Sequence, residues 1–135
     1  MEFPEITITH EDHAVLSSIV QQAMAKGNYA AASRLANEMH RARIVPASQA
    51  PVDCLVLNMS AQYMDEQSGA ISDVVLVTGL AEAAIGTKSV LSRVGTALIG
   101  LSEGQRMGWA DPRGRSRIVR LLKVRRTPGV RGLMP

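Results

Sequence analysis

The sequence predicts an α+β protein: a short N-terminal antiparallel helical hairpin, then a twisted antiparallel sheet wrapped on one short helix. Three observations carry this. As far as Arg43 the apolar residues recur at helical spacing, and from Val52 onward they recur at every second residue. The stretch Ile44-Val-Pro-Ala-Ser-Gln-Ala-Pro51, with two prolines and small residues, separates the two regimes. Late in the chain, Ser92 to Leu101 interrupts the twofold alternation with a short, almost uncharged helical pattern.

Taken in order, Glu5-Ile-Thr-Ile-Thr9 alternates and reads as a short strand. Thr9 can cap the following helix, whose first turn carries Glu11 and Asp12 at the positive end of its dipole. That helix runs to about Ala25 with Leu16, Ile19, Val20 and Ala23 as its stripe. Lys26-Gly27-Asn28 breaks it, and a second helix runs from about Tyr29 to Arg43 with Ala32, Leu35, Met39 and Ala42 along a heptad-like seam. A three-residue connection forces the two antiparallel, each arm about 22 Å long.

Beyond the linker, Leu55, Leu57, Met59, Ala61 and Tyr63 alternate with polar residues as a half-buried strand. Asp65 to Gly69 is a turn, Ile71 to Thr78 a strand, Gly79 to Thr87 a loop, and Lys88 to Leu91 a short strand. In the central helix Val94, Leu98 and Leu101 make one apolar face, Ser92 can cap the start, and Gly100 stands where a left-handed residue ends a helix. Met107 and Trp109 alternate in the next strand, Asp111-Pro-Arg-Gly114 suits a turn, and Arg115 to about Arg125 closes the sheet. The tail from Thr127 is expected to be loose. The implied division is residues 1–45 for strand and hairpin, 46–51 for the linker, 52–126 for the sheet domain and 127–135 for the tail.

The composition is that of a globular protein, with 46% hydrophobic and 20% charged residues, which one core accommodates at 135 residues. The single cysteine, Cys54, excludes an intrachain disulfide and suits a buried structural thiol. No apolar run opens the chain, and the stretch from Val74 to Ile85 is too short to span a bilayer, so a cytoplasmic location without membrane contact is expected. The net charge of +3 is unevenly spread. Residues 1–105 hold 6 Lys/Arg against 11 Asp/Glu, and residues 106–135 hold 9 Lys/Arg against Asp111 alone. Alternation would place Arg115 and Arg117 on one face with Lys123 and Arg125, a candidate ribbon for non-specific, salt-sensitive contact with a polyanion such as nucleic acid.

Catalytic patterns are thin. Gly95 and Gly100 have P-loop spacing, but Leu-Ser follows instead of Lys-Ser/Thr, so nothing would neutralise a phosphate. His10, His13 and His40 fall toward one end of the hairpin without the supporting cluster a metal needs. No nucleophile-elbow serine is present. The expectation is a protein without catalytic residues, cofactor, metal or small-molecule substrate.

The segment Val94-Gly-Thr-Ala-Leu-Ile-Gly-Leu-Ser-Glu-Gly104 resembles the central part of the C-terminal domain in bacterial Gre transcript-cleavage factors. The opening strand and the hairpin ending Leu35-Ala-Asn-Glu-Met-His-Arg-Ala42 are similar to the short, regulator-of-nucleoside-diphosphate-kinase branch. The resemblance covers roughly residues 4 to 126. It implies an FKBP-like half-barrel with one helix in its concavity, and a transcription regulator that binds RNA polymerase near the secondary channel, where nucleotides enter. An isomerase role does not follow from the fold, because prolyl isomerases line their pocket with aromatics and this chain has four aromatic residues in all. By position, Ser92, Arg93 and Val94 fall where polymerase contacts are expected, with Arg93 in place of the family's usual proline. In the long members two carboxylates at the hairpin tip hold the second Mg²⁺ for RNA cleavage. The tip here, Lys26, Gly27 and Asn28, has no carboxylate and one positive charge, so no cleavage is expected. The alternatives are a protein-binding module acting on nucleotide metabolism, as the branch name implies, or a non-specific nucleic-acid binder.

Overall fold

The computed structural model describes residues 3–78 and 86–125. Strand β1 (Thr7–Thr9) leads directly into helix α1 (His10–Ala25) because Thr9 is extended and its hydroxyl accepts the Asp12 N–H at 3.1 Å. Residues 26–28 turn the chain, with Gly27 at φ 82°, into helix α2 (Tyr29–Arg41). Leu16, Ile19 and Ala23 of α1 are buried, as are Ala31, Ala32, Leu35 and Met39 of α2. The second helix ends at Arg41, so Ala42 is its cap, partly buried against the core. Strand β2 (Arg43–Val45) then returns beside β1 in a parallel pair, and a single 3₁₀ turn, Ala47–Gln49, occupies the proline-rich linker.

The main sheet has the order β5-β4-β3-β7-β6, from β3 (Ser60–Asp65), β4 (Ile71–Val77), β5 (Thr87–Ser89), β6 (Arg106–Ala110) and β7 (Ser116–Arg125). All neighbours are antiparallel except β4 and β5, so the half-barrel sheet is mixed. Helix α3 (Arg93–Leu98) packs against β5, β6 and β7. Ala61, Tyr63, Val74, Leu76, Met107, Val119 and Leu121 fill the core with it, and the same cluster continues into the hairpin through Ile6, Leu16 and Leu35. Among the described residues no helix is long and apolar enough to cross a membrane.

Several expectations are corrected. The strand expected from Leu55 starts only at Ser60. Cys54 to Leu57 are consecutively buried, not alternating. Their backbone bonds go elsewhere: Leu55 exchanges bonds with Leu101 and Gly100, the Leu57 N–H donates to Asp12 Oδ2 at 3.0 Å, and Asn58 is left-handed at φ 65°. Helix α3 does not bury one face only, since Gly95 to Leu98 are all inside and Leu101 lies beyond its end. The loop expected over Gly79–Thr87 lies mostly outside the described residues, as does the tail from Thr127.

A seam joins hairpin and sheet. Gly100, at φ 82°, follows α3, and its carbonyl accepts the Thr7 N–H at 3.1 Å. A Cβ at this position would lie 3.0 Å from the Thr7 carbonyl oxygen and 3.1 Å from Ile6 Cβ, so only glycine combines the backbone angle with the approach. Beneath it the buried Cys54 thiol lies 3.3 Å from the Thr7 oxygen, which gives the lone cysteine a structural place.

Candidate functional site

The start of α3 is built before it is available to any partner. The Ser92 hydroxyl accepts the Gly95 N–H at 3.0 Å and donates to the Ser89 carbonyl at 2.7 Å. Both of its polar roles are therefore spent on the cap. Gly95 packs so tightly onto this turn that a Cβ would collide with the Ser89 carbonyl. Thr96, buried, sends its hydroxyl to the Val90 carbonyl. The turn is rigid, and what it presents outward is Arg93, exposed and without an ion pair among the described residues, beside half-buried Val94.

The hairpin tip is equally plain. Gly27 N–H bonds back to the Met24 carbonyl and Asn28 N–H to the Ala23 carbonyl, closing α1. Between Asp12 and Glu38 the chain holds no carboxylate, so Lys26 brings the only formal charge to Lys26-Gly27-Asn28. At the opposite end of the hairpin His13 and His40 line one shallow groove with Ser17 and Met39. Among the described residues no three His, Cys, Asp or Glu side chains gather as a metal would need.

The basic stretch is not a ribbon on one face. The register between β3 and β7 shifts so that Gln62 faces Lys123 while Tyr63 faces Leu121, leaving Leu122 as an extra residue. One extra residue inverts the alternation. Arg117 thus shares the side of Val119 and Leu121, and Lys123 and Arg125 take the other. Most of the charge is also answered. Arg117 reaches Asp65 at 2.9 Å, Arg106 and Arg120 share the two oxygens of Glu66 at 2.8 and 2.9 Å, and Arg115 meets Asp111 at 3.1 Å. Lys123 and Arg125 are left exposed without an ion pair among the described residues.

The three carboxylates show the effect in their acidity. For Asp65 and for Glu66 burial works upward, but it is outweighed. The Gln67 N–H and Arg117 hold Asp65 below the usual carboxylate range, and the two arginine forks do the same for Glu66. Asp111 is held down chiefly by the Arg115 N–H, against a smaller opposing effect of burial, with the Arg113 N–H and the Arg115 side chain adding to it.

One cationic place went unnoticed in the sequence. Arg34 leaves α2 and donates through Nη2 to the Leu91 carbonyl at 3.2 Å, so it braces the residue just before Ser92. Its Nε is buried without a hydrogen-bond partner. Burial first, and then the neighbouring positive charge of Arg93, push this guanidinium below its ordinary value. The local signal was weak: an arginine beside the buried stripe Ala31, Ala32, Leu35, with its partner 57 residues away.

Comparison with known proteins gives the fold a context. A family model described as the Rnk N-terminus matches residues 4–45. A solved prokaryotic transcription elongation factor GreA/GreB from Nitrosomonas europaea is 25% identical, with a TM-score of 0.67 over 90% of this chain and 98% of that one. The GreA factor homolog 1 (Gfh1) of Thermus thermophilus is 20% identical, covering 90% of this chain and 99% of its own, with a TM-score of 0.42. Thermus aquaticus Gfh1 is 18% identical over 89% and 97%, with a TM-score of 0.44. No curated protein sequence matches the chain. The N-terminal match and the superposition with the Nitrosomonas protein over 90% of this chain agree: the chain has a Gre-like fold and an N-terminal segment similar to the Rnk branch.

Proposed function

We propose that this chain is a non-enzymatic regulator of transcription that binds RNA polymerase near the secondary channel and does not cleave RNA. The observation carrying this reading is the Gre-like layout over 90% of the chain, shared at a TM-score of 0.67 with a protein named as a transcription elongation factor. Labour divides between residues 1–45, which reach, and residues 52–126, which dock. Arg93 supplies an exposed guanidinium fork for a carboxylate on the polymerase, Val94 an apolar contact beside it, and Ser92 the cap that fixes both.

Reach and ligand chemistry both argue against cleavage. The 16 residues of α1 extend about 24 Å at roughly 1.5 Å per residue. The tip lacks the oxygen ligands that Mg²⁺ requires. A bound but inert hairpin would narrow the channel mouth or compete with longer factors.

Two measurements test this. Immobilised chain should retain purified polymerase at moderate salt, and Arg93→Ala should weaken retention about tenfold without changing the melting temperature. No retention by the unmodified chain would refute polymerase binding. Stalled elongation complexes incubated with the chain and Mg²⁺ should keep their transcript length; shortened RNA would refute the reading of the tip.

A further inference from the structure

A groove of about 310 Å³ lies between α2, α3 and the free edge of β6. Its walls are Phe3, Ala97, Met107 and Trp109, and its polar groups come from α2, chiefly Arg34 and Asn37. That volume lies at the small end of ligand pockets, which run from roughly 300 to 1,000 Å³ with apolar walls and a few convergent polar groups.

Two charged residues line the groove, and they are answered differently. Glu38 also lines it, but both Arg41 nitrogens Nε and Nη2 hold its Oε1, at 3.1 and 2.7 Å. Arg34 has no ion pair among the described residues and uses one nitrogen on Leu91, while its Nε has no partner. Burial and the like charge of Arg93 both disfavour this guanidinium, and the opposite charge of an anion would offset them. Trp109, the single tryptophan, is half-buried, and its indole N–H has no protein partner among the described residues.

We propose that this groove binds a small organic anion, a carboxylate or sulfonate on a flat apolar body, with the acid group on Arg34 and the body along Met107, Ala97 and Trp109. The apolar body excludes water from the ion pair, which makes the charge-assisted bond count for more than it would at an open surface. The groove adjoins the Ser92–Val94 surface but is not lined by those residues, and the proposal does not depend on polymerase binding.

The test uses the full chain and a matched pair of probes, 1-anilinonaphthalene-8-sulfonate and its uncharged analogue N-phenyl-1-naphthylamine, read by energy transfer from Trp109. The sulfonate should saturate at one probe per chain and bind about tenfold more tightly than the analogue. Asn37→Asp, at an exposed position, should weaken the sulfonate and spare the analogue, with the melting temperature unchanged. Arg34→Gln should remove the preference for the anion. Equal affinity of the two probes, or a sulfonate affinity that Asn37→Asp leaves untouched, would overturn the proposal. So would displacement of the sulfonate by a glutamate-bearing hexapeptide at lower concentration than by 1-naphthoate, which would point to a protein partner instead.

Discussion

Two cationic regions of this molecule carry arginine, and they differ in what answers the charge. Along β6, β7 and the turn between them four arginines meet Asp65, Glu66 and Asp111 within 3.1 Å. At the junction of α2 and α3, Arg34 and Arg93 make no ion pair among the described residues, and Arg93 lies close enough to act on Arg34 as a like charge. The first region holds most of the chain's excess positive charge in sequence, and the second holds two residues. Counting charges along a chain therefore does not show which charges the fold leaves unpaired. On the reading proposed above, the unpaired charge beside the rigid turn is the docking surface.

The contrast can be broken most severely at its scaffold. Gly95→Ala would push a methyl group into the Ser89 carbonyl and dismantle the turn that presents Arg93; a loss of about 3 kcal/mol or more is expected in denaturant unfolding. A melting curve superimposable on that of the unmodified chain would mean the turn yields easily. Next in size, Glu66→Gln removes the negative charge and one of the two acceptor oxygens that Arg106 and Arg120 share, and should move the first region toward the second. The variant should elute from a heparin column at higher salt, and an unchanged elution position would show that pairing does not silence these arginines.

The smallest effect is on acid stability. Asp65, Glu66 and Asp111 have folded-state pKa values below their ordinary ones, so their contribution is present above the unfolded carboxylate range and is lost as pH falls through the folded one. Stability should be flat on this account from neutrality to about pH 5 and decline below about pH 4. A decline already complete at pH 5 would assign the acid sensitivity to other groups. Because these pairs are exposed, salt should shrink the effect.

What was legible in the sequence is what local chemistry decides. Thr9 and Ser92 cap the helices they precede, Gly100 takes the left-handed turn, and the hairpin seam follows Leu16, Leu35 and Met39. What was illegible depends on partners far away in the chain. The alternation of Leu55 to Met59 looks like a strand, but Asp12 and Leu101 take its backbone bonds. The bulge at Leu122 exists only relative to β3, so no residue within β7 announces that Arg117 and Lys123 face opposite ways. At the candidate site, the start of α3 was found by its position in the resemblance, while Arg34 and Trp109 come together only once α2 lies beside β6.

The seam at Gly100 has a bearing on how such proteins diversify. Its bonds, Thr7 to Gly100, Arg43 to Ile6 and Leu57 to Asp12, all sit at the base of the hairpin, whereas the bonds of the tip among the described residues stay within the hairpin. Residues added in matched turns on either side of Lys26-Gly27-Asn28 would lengthen the arms and leave that base unchanged. Arm length is thus a heritable variable that drift or selection can alter independently of docking. On the reading proposed above, a short relative that does not cleave RNA and a long one that does can descend from the same base by insertion or deletion at a single turn.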